Sequence, residues 1–198
     1  MTKVDREAYF VTTYQLLGEL GPDAITIPMI CQRLDVTKGA FYHRFESLEH
    51  FIQAFADHWQ TGFLRQLEDW EQTAPDRITQ LEFMVNGTAS MAHESEAALR
   101  SWGFSEPIVR AALSRTDSAA EASLCHALRQ FIDDQALAAL LAYEGVSLSI
   151  GMLHRPGTLD PHRFLDVIAD WAQRVLDLEV TIVVTPQGRR ARFHDRTS

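Results

Sequence analysis

The stretch Ile25-Thr26-Ile27-Pro28-Met29-Ile30-Cys31-Gln32-Arg33-Leu34-Asp35-Val36-Thr37-Lys38-Gly39-Ala40-Phe41-Tyr42-His43-Arg44-Phe45-Glu46-Ser47-Leu48-Glu49 decides how the chain is read. Ile27, Ile30, Cys31 and Leu34 repeat at the spacing of one helix face. Thr26 is placed to cap that helix, and Pro28 falls in its first turn, where a missing N–H costs nothing. Asp35-Val36 leaves room only for a tight turn. Thr37, a second capping residue, then opens a short helix that turns Ala40 and Phe41 inward and ends near Arg44. Upstream, Phe10, Tyr14 and Leu17 share a face of a helix expected over about residues 4–19, stopped by Gly21-Pro22. Downstream, Ser47 caps the series Leu48, Phe51, Ile52, Phe55, Trp59, Phe63, Leu67 and Trp70, which holds helical spacing for about 24 residues, or roughly 36 Å. Such an arrangement is a helix-turn-helix whose second short helix can enter a major groove about 12 Å wide, or a plain three-helix cluster; spacing alone leaves both open.

Further along, periodicity stays helical. Ala74-Pro75-Asp76 breaks the long helix, and Leu81, Met84, Val85, Thr88 and Met91 mark another ending near His93. A short helix carries Ala98, Leu99 and Trp102. After Gly103, Ser105 and Pro107, a helix with Ile108, Ala112, Leu124, Leu128, Phe131 and Ile132 is expected to be interrupted around Asp117-Ser118. Residues 135–153 are apolar almost all round and call for burial on more than one side. Their length tempts a membrane reading, but Glu144, the small polar residues and the lack of basic flanks favour a buried helix. His154-Arg155-Pro156-Gly157 closes it. Asp160 then caps a helix begun by Pro161, with Phe164, Val167, Ile168, Trp171, Val175 and Leu178 on one face. Two adjacent apolar helices suggest a subunit interface through Leu141, Leu148, Met152, Phe164, Ile168, Trp171 and Val175. Residues 179–198 are a basic tail in which Val180–Thr185, a Pro186-Gln187-Gly188 turn and Arg189–Phe193 spell either a β-hairpin or a disordered end.

The 198 residues, 46% hydrophobic and 23% charged, exclude a disordered or collagen-like chain. The first thirty residues lack the apolar run of a signal peptide, so a cytoplasmic address is expected, with Cys31 and Cys125 as reduced thiols. A net charge of -9 argues against nucleic acid until its distribution is read. Residues 1–46 carry -1, residues 47–188 carry -11 and residues 189–198 carry +3, and within residues 26–45 Arg33, Lys38 and Arg44 face a single carboxylate, Asp35.

The quoted stretch resembles the N-terminal domain of TetR-family transcriptional regulators over roughly 45 contiguous residues, and the rest is similar to that family in length and helical pattern. The resemblance implies an all-α fold with a three-helix helix-turn-helix DNA-binding domain at 1–46, then a larger helical ligand-binding and dimerisation domain at 47–178. It also implies a homodimeric, ligand-responsive repressor that sets two helix-turn-helix units on a palindromic double-stranded operator and leaves it when a small-molecule effector binds. By residue type, Thr26 and Thr37 offer hydroxyls at helix starts, Lys38 reaches phosphate or a guanine edge, and Gly39 and Ala40 let the backbone come close. The resemblance assigns Tyr42 to phosphate and His43 to backbone or base; Arg44 adds a charge-assisted bond. Two positions depart from the family: Asp35 stands where Gly is common in the turn, and Leu48 where a Lys meets phosphate.

Trp59, Phe63, Met84, Thr88, Met91, Trp102 and Phe104 lie on helices that surround a cavity in this fold. They are candidate walls for a mostly apolar ligand, or simply packed core. His93, Glu94, Arg100 and Glu144 are candidate polar anchors. No metal-ligand spacing, phosphate loop or nucleophile motif stands out, so no metal, cofactor or catalysis is expected. The alternative function is an all-helical interaction protein that has lost operator binding, suggested by Leu48 and the acidic total.

Overall fold

The structure is a computed structural model and describes residues 4–91, 94–155 and 160–195. It is the all-α fold the sequence leads one to expect, with one small sheet. Helices α1 (Arg6–Leu20), α2 (Ile27–Arg33), α3 (Lys38–Tyr42), α4 (Leu48–Thr73), α5 (Arg77–Met91), α6 (Glu94–Trp102), α7 (Pro107–Leu128), α8 (Gln135–Leu153) and α9 (Pro161–Leu176) precede strands β1 (Leu178–Thr185) and β2 (Gly188–Asp195). Side-chain caps set many of the starts. Thr26 accepts from the Met29 amide at 3.4 Å, Thr37 from Ala40 at 3.1 Å, Ser47 from His50 at 3.0 Å and Asp160 from His162 at 2.9 Å. Each cap is worth about 1 kcal/mol.

One expected break is absent. α7 runs unbroken through Asp117 and Ser118, because neither is a Gly or Pro and a polar pair alone does not stop a helix. Phe131 and Ile132 fall beyond its end, in a turn where both amides donate to the Leu128 carbonyl. His93, Pro156 and Gly157 lie outside the described residues.

The chain forms two compact units, residues 1–62 with 93–115 and residues 63–92 with 116–198. The first contains the whole of the segment expected as a DNA-binding domain, and adds α6 and parts of α4 and α7. Its core is aromatic: Tyr9, Phe10, Phe41, Phe45, Phe51 and Phe55 pack with Leu16, Leu17, Ile30 and Leu99. The second unit gathers Leu81, Val85, Leu128, Phe164, Ile168, Trp171, Leu178, Ala191 and Phe193.

In that second unit the tail is a hairpin, not a disordered end. β1 and β2 pair antiparallel from Leu178 opposite Asp195 to Thr185 opposite Gly188. A lone hairpin is marginal in water, and this one is held by burying Leu178, Ala191 and Phe193 and by side chains of α5. Asn86 accepts from the Ala191 amide at 2.7 Å and donates to the Ala191 carbonyl at 2.9 Å, while Glu82 accepts from the Phe193 amide at 3.0 Å. Arg192 pairs with Glu82, and Arg189 grips Asp166 with two bonds. Two of the tail's arginines, Arg189 and Arg192, are thus matched to acids of their own unit.

The two long apolar helices also differ from the expectation. α8 buries only Ala138, Ala142 and Gly145, on one side, where a Cβ added to Gly145 would come within 2.7 Å of the Trp171 ring. Its other side shows Leu137, Leu140 and Tyr143, the last two about 60% exposed (62% and 61%). Length and composition alone would let α8 cross a membrane. Phe164, Ile168 and Trp171, read from sequence as subunit contacts, are instead 1%, 5% and 4% exposed within their own chain. The reason is that α5 and the hairpin cover the apolar stripe of α9.

Replacing Asn86 by Ala leaves the buried Ala191 N–H and C=O without partners. Urea unfolding of Asn86→Ala is expected to show a loss of about 2 kcal/mol or more; an unchanged midpoint would show that the hairpin is held elsewhere.

Candidate nucleic-acid interface

The turn between α2 and α3 is built by hydrogen bonds the sequence can specify. Asp35 takes a left-handed conformation, φ 52°, its amide bonds the Gln32 carbonyl at 3.2 Å, and the Val36 amide bonds the Cys31 carbonyl at 3.0 Å. This pair of bonds is a Schellman ending, for which Gly is the usual residue and Asp an acceptable one. It stops α2 after seven residues and lets Thr37 cap α3 at once.

α3 is too short to stand alone, and its packing decides which side faces out. Phe41 is fully buried, with ring centroids 6.0 Å from Tyr9, 5.3 Å from Phe45 and 5.4 Å from Phe51. Lys38 and Tyr42, one turn apart, share a flank of α3 that is exposed. Tyr42 is 53% exposed, its ring edge-on to Phe41. Thr26, Thr37, Gly39 and His43 are exposed as well, and Ala40 is half-buried. The residues read as DNA contacts thus lie on and around α3 and at the start of α2, all exposed except the half-buried Ala40 and Arg44.

Electrostatics narrows the list of usable cations. Arg33 makes two bonds to Glu19, at 3.1 and 2.8 Å, and the pairing lowers the Glu19 carboxyl and raises the Arg33 guanidinium. Arg44 is half-buried, donates to the Val4 carbonyl and lies over the Tyr9 ring. It ties the start of α1 to the end of the helix-turn-helix, an engagement between residues forty apart that local sequence does not reveal. Lys38 is left as the exposed cation of α3. Leu48, where a basic residue was the family expectation, packs against the first core. Burial raises the Cys31 thiol, so Cys31 is a packing group with a 3.8 Å contact to the Thr37 carbonyl.

The residues read as ligand walls divide between the units. Trp59, Trp102 and Phe104 belong to the first, and Phe63, Met84, Thr88 and Met91 to the second. Trp102 and Met84 are buried, while Phe104 is 74% exposed. Of the polar anchors, Arg100 faces Glu96 at 3.3 Å with both side chains buried, and the Tyr14 hydroxyl donates to Glu96 at 3.2 Å. Burial, then the Glu96 charge, pushes the Tyr14 hydroxyl up. Glu94 and Glu144 are exposed.

Asp35→Gly removes the left-handed penalty and a carboxylate next to the exposed face. A gain of about 0.5–1 kcal/mol in stability is expected, together with tighter binding to random duplex; destabilisation in urea would show that the Asp35 side chain, not its backbone, shapes the turn.

Residues 11–55 match the family model described as bacterial regulatory proteins, tetR family. No curated protein matches the chain by sequence. Among solved structures, a TetR transcriptional regulator from Legionella pneumophila is similar with a TM-score of 0.73 at 14% identity, over 89% of this chain and 100% of that one. A TetR-family transcriptional regulator from Streptomyces coelicolor gives 0.72 at 17%, over 87% and 94%. A putative transcriptional regulator from Saccharomonospora viridis in complex with choline gives 0.65 at 16%, over 85% and 95%. At these identities the structural likeness is one of fold, and the family rests on the helix-turn-helix itself. Residues 11–55 are thus similar to the N-terminal domain of the tetR family of bacterial regulatory proteins, and the chain as a whole has the fold of solved regulators of that kind.

Proposed function

We propose that the protein is a ligand-responsive transcriptional repressor that binds a palindromic operator as a homodimer and is released by a small, mostly apolar molecule. The observation that carries this reading is α3, where Lys38 and Tyr42 are exposed on one flank while Phe41 is locked in the aromatic core. Lys38 and the hydroxyls of Thr37 and Tyr42 position the protein on phosphates. Gly39, Ala40 and His43 lie where the backbone and a ring meet base edges. Thr26 adds a hydroxyl at the start of α2, and Arg44 shapes the margin through Val4. The domain boundaries proposed are those of the sequence reading, with residues 1–46 binding DNA and 47–178 serving ligand and partner.

The second copy is proposed to cover the bare side of α8. Leu137, Leu140 and Tyr143 are exposed there and Leu141, Leu148 and Met152 half-buried, with Val175 half-buried on α9. Glu144, exposed in the middle of α8, suits a wet protein contact better than the centre of a bilayer. A cytoplasmic site of action and a non-enzymatic role follow from the same reading. For the effector, the candidate walls are Phe63, Met84, Thr88 and Met91 within the second unit and Trp59, Trp102 and Phe104 within the first, and the choline-bound neighbour shows that a protein of this fold holds a small molecule.

The discriminating experiment is binding of the purified protein to the intergenic DNA beside its own gene at two salt concentrations. Preference for that DNA over random duplex supports the repressor; equal, weak binding at low salt supports the alternative, a helical interaction protein that has lost its operator. Lys38→Ala is expected to weaken operator binding and to reduce the salt slope by about 0.9, the share of one phosphate contact. Tyr42→Phe should weaken it without changing the urea midpoint. Unaltered affinity in both variants counts against this face. Leu140→Arg should weaken the sedimenting dimer, and an unchanged dissociation constant moves the interface away from α8.

A further inference from the structure

The C-terminal hairpin treats its two edges differently. The outward backbone groups of β2 are taken up by α5: Asn86 bonds both the N–H and the C=O of Ala191, and Glu82 accepts from the Phe193 amide. Since Ala191 and Phe193 point these groups away from β1, their cross-strand partners Ile182 and Val180 point theirs away from β2, and Val184 opposite Arg189 does the same. No hydrogen bond to those outward groups is found among the described residues, and the sheet has no third strand there. The edge is Leu-Glu-Val-Thr-Ile-Val-Val-Thr, eight residues without the proline, lysine or bulge by which exposed edges are usually blunted. Val184 is 83% exposed.

We propose that β1 pairs with β1 of a second copy, antiparallel about a two-fold axis at Ile182, joining two hairpins into one four-stranded sheet. The strand is its own complement in that register. Ile182 meets Ile182 and Val180 meets Val184 at the hydrogen-bonded positions; Thr181 meets Val183 and Glu179 meets Thr185 at the others. Glu179, the single charged residue of the strand, never faces its own copy. The axis stands perpendicular to the sheet, so both hairpins keep the same face toward their own α5 and α9, and neither docking has to open. This contact uses backbone groups of β1 and does not depend on the side chains of α8.

Thr181 and Val183 lie on the face turned away from the buried Leu178, Ala191 and Phe193, which makes a covalent test available. Full-length Thr181→Cys and Val183→Cys chains, each also carrying Cys125→Ser and tags of different size, are co-expressed and oxidised with diamide. In the proposed register each mixed pair sets Thr181→Cys directly opposite Val183→Cys, within disulfide reach. Like residues in either homodimer sit on the diagonal, beyond it. A reducible mixed dimer about tenfold above either homodimer band is therefore expected. A sedimenting dimer with no enrichment of the mixed band overturns strand pairing and leaves pairing through α8 standing. A chain that sediments as a monomer overturns both.

Discussion

The ring cluster of Tyr9, Phe41, Phe45 and Phe51 is the constraint on which the rest depends. A helix of five residues has no stability of its own, so α3 exists because Phe41 and Phe45 insert between α1 and the start of α4. The contacts are edge-on or tilted at 4.9–6.1 Å, the arrangement aromatic rings prefer. Fixing Phe41 fixes the rotation of α3, and with it the direction of Lys38 and Tyr42. Function at the surface is thus set by burial just beneath it.

The same region shows why a chain of net charge -9 can face a polyanion. The acids are concentrated away from α2 and α3, and Asp35, the one carboxylate among residues 26–45, sits in the turn. Yet the local basic excess is smaller than its count suggests. Arg33 is held by Glu19, Arg44 by the Val4 carbonyl just before α1, and Arg189 and Arg192 of the tail by Asp166 and Glu82. Electrostatic attraction therefore rests on few groups, with hydroxyls and close backbone approach supplying the remainder.

Much of this was legible in the sequence because it is local. The helical period, the caps at Thr26, Thr37, Ser47 and Asp160, and the hairpin turn before Gly188 are decided within a few residues. So is the assignment of Phe41 inward and Tyr42 outward. What local reading missed has long-range causes. The stripe Phe164, Ile168, Trp171 announces that α9 is buried but not by what, and its cover comes from α5 and from a hairpin still to be made. The partner of Arg44 lies at Val4, far along the chain. α8, apolar all round, reads as an interior helix, whereas one chain provides cover for Ala138, Ala142 and Gly145 alone. The supposed break at Asp117-Ser118 was read from polarity, which in a solvated helix is no signal.

The bare side of α8 and the modest charge of α3 belong to one argument. A single five-residue reading helix with one freely exposed lysine makes too few contacts to select a site against a genome of competitors, where each specific base pair contributes only about 1–3 kcal/mol. Coupling two such units makes the second contact intramolecular, at an effective concentration in the millimolar range, and multiplies affinity by orders of magnitude without a new residue at the DNA. The apolar surface that one chain leaves uncovered on α8, and the backbone edge it leaves open on β1, are the groups proposed to recruit a second chain. A weak reading head is therefore no defect in this fold. In the proposed dimer it would make occupancy sensitive to how the two heads are held, the property that the proposed effector would alter.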